Sequence, residues 1–498
     1  MNVNPITRLD YPDPDVIRVE DTYYMVSTTM HFMPGCEILQ SFDLVHWEHV
    51  TYVYETLDHT DAQQLKSGQN IYGQGMWAAS LRYHEGRFCI CFVANDTRKT
   101  YLYTSEKIDG PWKKQLIEGF YHDGSLLFDE DGRNYIVYGN DEIWITELNE
   151  DLTAPKKDGL HRLLVSDHKN PELGYEGSHI QKINGYYYIF LVHSLRDHWM
   201  RTEACFYSDS LEGEFTGGDV LCDDRGYCGQ GVAQGGIVDT PDGKWYAMLF
   251  QDSGAVGRIP ILVPVTWKDH FPFFGQNGHV PEEIEVHSTR PGYIYQPLVG
   301  SDDFCNGLLP RWQFNHDPDP RYYHLDALQG TYTITTREVC TELTQAVNTL
   351  TQRMSYPSCA AEVTVDASAL KEGDVAGLCA LQSCYAAVGI TKHHGKYEVL
   401  MLDKKEDGIL DMTEGTVVES HQMDFRLEAD FCNMKDEARC YYRVNKGDWL
   451  PIGTVHKLYF KLDHFTGCRF GLFCYAAEET GGSACFRDFK YYDVDEIS

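Results

Sequence analysis

Tyr175-Glu176-Gly177-Ser178-His179-Ile180-Gln181-Lys182-Ile183-Asn184-Gly185-Tyr186-Tyr187-Tyr188-Ile189-Phe190 carries the pattern on which the fold turns. An apolar strand reaches a polar turn at Gly185 and returns as an aromatic-rich strand, as a hairpin requires. Four other stretches repeat it. They are Val16-Ile17-Arg18-Val19 to Tyr23-Tyr24-Met25-Val26, Leu81-Arg82-Tyr83 to Phe88-Cys89-Ile90-Cys91, Leu126-Leu127-Phe128 to Tyr135-Ile136-Val137-Tyr138, and Ile237-Val238-Asp239 to Trp245-Tyr246-Ala247-Met248. Their turns hold Asp21, Gly86, Gly132 and Gly243, and the leading aromatics recur every 47 to 65 residues. A weaker repeat follows some of the hairpins, from Ser41 to Trp47, Ser105 to Trp112 and Ser208 to Phe215, and reads as an outer strand pair. Helical periodicity is nearly absent. Repeated four-stranded units of this length predict a five-bladed β-propeller over residues 1–298; a meandering sandwich would not need the repeat.

From residue 299 to 498 the rhythm changes to short alternating strands: Ala361–Val365, Tyr397–Leu400, Leu458–Leu462 and Phe470–Phe473. Gly, Asn and Asp turns separate them, which predicts an antiparallel β-sandwich. No low-complexity linker intervenes, so the two domains are expected to pack directly.

The chain has 498 residues, with 42 Lys+Arg against 75 Asp+Glu and a net charge of −33. That charge repels phosphate backbones and anionic lipid surfaces, which argues against nucleic-acid and membrane partners. Apolar residues at 43% supply a core and argue against disorder. Met1 to Arg8 shows neither a basic n-region nor an apolar h-region, which predicts a cytoplasmic protein. The 16 cysteines are scattered without a CxxC pair and read as reduced thiols rather than a zinc ribbon or a disulfide framework.

In a propeller the innermost strands start beside the central channel, so residues entering them converge on one mouth. Ten to twelve residues before the aromatic landmarks stand Asp13, Trp77, Asp123, Glu176 and Gln234. Three carboxylates at one mouth suit glycoside hydrolysis, in which one acid must be protonated and another ionised. Asp13 is held between Pro12 and Pro14, while Asp123 and Glu176 each precede a glycine that permits a tight turn. Other candidates fail. His393-His394 reads as a solvated turn, and His193 and His198 as rim residues. Gly229-Gln230-Gly231 and Gln234-Gly235-Gly236 lack the helix that a phosphate cradle needs, and there is no GxSxG elbow.

Tyr11-Pro12-Asp13-Pro14-Asp15-Val16-Ile17-Arg18 resembles the first blade of glycoside hydrolase family 43. Met76-Trp77-Ala78-Ala79-Ser80-Leu81, His122-Asp123-Gly124-Ser125-Leu126 and Tyr175-Glu176-Gly177-Ser178-His179 are similar to its next three signatures. The region from Ser301, with Asn348-Thr349-Leu350-Thr351-Gln352-Arg353, resembles the concanavalin-like sandwich that follows many of the family's xylosidases. The resemblance implies Asp13 as general base, Glu176 as general acid and Asp123 as the third acid, orienting Glu176. It implies Arg258 and Trp77 as sugar contacts, with Met30, His31 and Phe32 where xylosidases of the family carry a Phe-rich pocket wall. Many members have Gly-His where this chain has Ala233-Gln234, and that His often supports a hydrated calcium ion. The resemblance therefore implies no required cofactor. It leaves open a structural or channel-bound Ca²⁺, the identity of any metal, and a homo-oligomer.

The function expected is exo-acting, inverting release of single pentoses, β-D-xylose first, from the non-reducing ends of xylo-oligosaccharides. An α-L-arabinofuranosidase, or a dual enzyme, is the close alternative. A non-catalytic carbohydrate-binding protein is the alternative from another class.

Overall fold

The computed structural model describes residues 2–413 and 415–493, with no side-chain account of residues 2 and 3. It is all-β, a five-bladed propeller followed by an antiparallel two-sheet sandwich, and among the described residues no helix is long and apolar enough to cross a membrane. Each blade is a four-stranded antiparallel sheet in sequence order. Blade 1 comprises Asp15–Val19, Thr22–Val26, Gly35–Ser41 and Glu48–Tyr54; blade 2 Met76–His84, Arg87–Ala94, Lys99–Ser105 and Lys113–Ile117. Blade 3 comprises Ser125–Phe128, Asn134–Asn140, Glu142–Leu148 and His161–Ser166; blade 4 Glu176–Ile183, Tyr186–Ser194, Arg201–Ser208 and Thr216–Leu221. Blade 5 is Ile237–Asp239, Trp245–Asp252, Arg258–Lys268 and Phe271–Phe274. Alternation along these strands sends Val26, Ile38, Leu81, Phe88, Phe92 and Tyr101 into one apolar layer between blades 1 and 2, and the later blades pack in the same way.

A ring of polar contacts ties the innermost strands together. Asp15 accepts from the Leu81 amide at 2.7 Å and Arg82 Nη1 at 2.8 Å, and faces His179 Nδ1 at 3.2 Å. Arg82 Nη2 continues to Ser125 Oγ, Gln181 Nε2 donates to the Ile237 carbonyl, and Arg18 pairs with Asp239. All five blades are thereby joined. Burial alone would push the Asp15 carboxyl up, yet Arg82 and His179 hold it below its ordinary value.

The sandwich has a seven-stranded sheet, with Ser358–Asp366, Gln422–Asp430 and Ser483–Asp493 among its strands, and a nine-stranded one. Val363, Phe425, Leu427, Leu472 and Phe486 fill the layer between them. An edge strand of the second sheet is Phe32–Met33, which comes from the propeller and pairs with Gln313–Asn315. Phe32 was expected in a pocket wall. Instead it is fully buried, with the Arg469 guanidinium 3.4 Å from its ring centre, because pairing with Asn315 turns it into the domain interface. Leu458–Leu462, expected as a strand, also differs. The strand Leu450–Lys457 stops short, and the Lys461 carbonyl accepts from the His464 and Phe465 amides in a turn. The Gly467 amide then donates to Asp10 of the propeller at 2.8 Å. These backbone groups are committed to a loop that docks on blade 5, so the apolar alternation alone does not make a strand.

Candidate active site

The acids sit at strand entries because the local backbone puts them there. Asp13, Asp123 and Gln234 adopt left-handed φ of 51°, 47° and 65° at matched positions of blades 1, 3 and 5. The conformation costs a non-glycine residue roughly 1–2 kcal/mol, and such strain concentrates at functional sites. In blades 2 and 4 a different device serves. β-Bulges between Met76 and Ala79 and between Glu176 and His179 locally break the ladder and re-aim Trp77 and Glu176.

Both oxygens of Asp13 are engaged. Oδ1 accepts from Arg258 Nη1 at 2.8 Å and Oδ2 from Thr28 Oγ1 at 2.5 Å, inside a buried environment. Arg258 is aimed by its own amide, which donates to Asp10 Oδ1 at 2.7 Å. Its guanidinium lies 4.5 Å from the ring centre of Phe465 and 5.3 Å from that of Phe250. Phe465 belongs to the sandwich and also packs against Trp77 at 5.7 Å, so the second domain supplies one wall of the mouth.

Glu176 Oε2 accepts from Asn140 Nδ2 at 2.9 Å, and Asp123 Oδ2 accepts from the Gly177 amide at 3.0 Å. His122 Nε2 lies 3.5 Å from Asp123 Oδ2 and 3.6 Å from Glu176 Oε2. The three groups approach within 4.8 Å of one another. Burial first, and then the charges of Glu176 and Asp13, push the Asp123 carboxyl up to about 6. Burial works against the His122 imidazolium, but the charges of Asp123, Glu176 and Asp13 outweigh it and raise His122 to about 9. Between those values Asp123 is ionised and His122 is cationic.

An Asp whose folded pKa is raised contributes stability below about 3.8 that is lost as pH rises through about 6. Asp123→Asn is therefore expected to melt at a higher temperature than the parent at pH 7.5, with the gap closing at pH 4. Thermal denaturation at the two pH values measures it.

Of the residues singled out from sequence, Asp13, Arg258, Trp77, Asp123 and Glu176 fall together. Gln234 packs over Gly177, and the backbone of Met30 bridges to Met76. His122, Asn140, Thr28 and Phe465 were missed. His122 adjoins Asp123 in the quoted motif and was legible there, whereas Phe465 lies in another domain and left no local sign.

A channel Ca²⁺ would need converging oxygen donors. Both oxygens of Asp15 are taken by Leu81, Arg82 and His179. Gln234 is neutral, and burial pushes the Glu203 carboxyl beneath it well up toward its protonated form. Among the described residues the one compact grouping of possible ligands is His122, Asp123 and Glu176, which brings only two carboxylates together with an imidazole rather than a set of oxygens. The donor set does not fit a channel Ca²⁺.

The propeller of residues 3–272 matches the family model for glycosyl hydrolases family 43, and residues 301–492 match the β-xylosidase C-terminal concanavalin A-like domain. The chain belongs to glycosyl hydrolases family 43. This family 43 member is a glycoside hydrolase. It superposes on a bifunctional GH43-CE protein of Bacteroides eggerthii with a TM-score of 0.92 and 42% identity, covering 99% of this chain and 64% of that one. This chain thus spans less than two thirds of that protein. It is 26% identical to a β-xylosidase of Formosa agariphila over 99% of this chain and 89% of the relative. It is also 24% identical to a non-reducing end α-L-arabinofuranosidase of Bacteroides ovatus, over 82% and 79% of the two chains.

Proposed function

We propose that this hydrolase releases single pentoses, β-D-xylose first, from the non-reducing ends of xylo-oligosaccharides with inversion. The observation that carries this reading is the presence of two differently prepared acids at one walled mouth, Asp13 held by Arg258 and Thr28 and Glu176 held by Asn140. Asp13, with both oxygens engaged by Arg258 and Thr28, suits the ionised base that takes a proton from water. Glu176 holds Asn140 on Oε2, which leaves Oε1 as the atom that gives its proton to the departing oxygen. Water attacks the anomeric carbon as that bond breaks, and Asp123 with His122 orients Glu176. Phe465, brought in from the sandwich, narrows the mouth and favours action at a chain end.

The arabinofuranosidase reading stands second, supported by the name of the Bacteroides ovatus relative. Rates on aryl β-D-xylopyranoside and aryl α-L-arabinofuranoside rank the two, and the anomer released first, read by NMR, tests inversion. Faster turnover of the arabinoside would reverse the order, and turnover of neither would remove the reading. The donor set predicts that EDTA leaves the rate unchanged. A loss restored by Ca²⁺ would show that the channel holds an ion after all.

A further inference from the structure

The proposed reaction needs a place for the leaving-group sugar as well as for the pentose. The acid's blade marks the side on which to look, because Glu176 must reach the oxygen between the two sugars. In blade 4, Glu176 pairs with Val192, and the second and third strands run on to the Ser194–Arg201 pair. The loop of residues 195–200 therefore leaves the sheet at the end where Glu176 enters it, on the catalytic face and outward of the acid.

That loop carries Trp199, which is 40% exposed in a chain whose other tryptophans are mostly sheltered. Its ring is positioned from below. The Arg201 guanidinium lies 5.2 Å from the Trp199 ring centre and 5.3 Å from that of Phe250, and is held by Asp252 at 2.9 Å. Phe250 is the same ring that lies beside Arg258, the partner of Asp13. A stack of Arg258, Phe250, Arg201 and Trp199 thus runs from the base outward to the rim. The charge of Arg201 also senses both Glu176 and Asp13, which places it near the reacting centre. One face of the indole is backed by a cation, and the residue keeps open surface. Such a rigid aromatic with little conformational freedom to lose suits the apolar face of a pyranose.

We propose that Trp199 is the platform for the leaving-group sugar, a xylopyranosyl residue of the oligosaccharide, and so sets preference for oligosaccharides over simple glycosides. This inference rests on the pentosidase reading. Losing one stacking contact is expected to cost about tenfold in kcat/KM, which corresponds to about 1.4 kcal/mol.

The test compares the full-length parent with Trp199→Ala and Trp199→Phe on xylobiose and on β-D-xylosyl fluoride, whose leaving group has no ring. Trp199→Ala should lose about tenfold on xylobiose, chiefly in KM, and stay within twofold of the parent on the fluoride. Trp199→Phe should recover most of the loss. Equal losses on both substrates, or no loss on xylobiose, would overturn the platform while leaving the pentosidase reading intact. A parent that turns over neither substrate would overturn both.

Discussion

Glu176→Gln is expected to lower kcat on an unactivated pentoside by about 10²–10⁴-fold, the usual contribution of a positioned general acid. The amide keeps the side chain's shape and can still contact Asn140, but it has no proton to give. The loss should therefore depend on the leaving group. A glycosyl fluoride, which departs with little protonation, should retain much of the parent rate, and Asp13→Ala should lose activity on both substrates because water activation is needed for each. Asp13→Ala also leaves Arg258 Nη1 and Thr28 Oγ1 without their shared partner, so its folding is checked by circular dichroism. Retained activity of Glu176→Gln on the unactivated substrate would remove Glu176 from the acid role. Sugar binding by a Glu176→Gln variant, with no turnover by the parent on any pentoside, would leave the protein a binder.

Arg353→Met is expected to destabilise the protein by roughly 3–5 kcal/mol, the cost of stranding a buried charge. Arg353 comes from the sandwich and reaches Glu37 of blade 1 at 2.9 Å, with both side chains buried. Its Nε donates to the Asp10 carbonyl at 2.9 Å, and its guanidinium lies 4.1 Å from the centre of the Tyr11 ring. Asp10 and Tyr11 lead directly into Asp13, so the same residue that joins the domains braces the base. Burial would raise the Glu37 carboxyl, but Arg353 and His49 hold it below its ordinary value. A carboxylate lowered in this way contributes stability above about 4.5 that is lost as pH falls through its folded value. The Arg353→Met deficit should accordingly be largest near pH 7 and shrink toward pH 4, as read from urea midpoints. Adding Glu37→Gln to Arg353→Met should recover part of the loss, since the stranded charge is then gone. A deficit below about 1 kcal/mol at pH 7 would mean that the pair behaves like an exposed one.

The propeller was legible in the sequence because a blade is local. Each hairpin declares itself through period-two alternation and a turn residue, as at Gly185 and Gly243, and five repeats in one register imply closure. The acids were legible for the same reason: Asp13, Asp123 and Glu176 stand at the entries of repeated inner strands, although a left-handed φ aims the first two and a bulge the third. His122 was legible as a neighbour but not as a participant, since its approach to Glu176 crosses from blade 3 to blade 4.

The contacts between the two domains left no such local sign. Phe32 reads like a pocket residue yet is drawn into the edge of the sandwich. Leu458–Leu462 reads like a strand yet feeds the loop that brings Phe465 onto Arg258. Arg353 reads like part of a sandwich motif yet anchors the segment before Asp13. In each case the partner is hundreds of residues away, so no local period encodes the contact. It is selected by which surfaces bury apolar area and pair charges when the two domains meet, and that balance is settled only in the packed molecule.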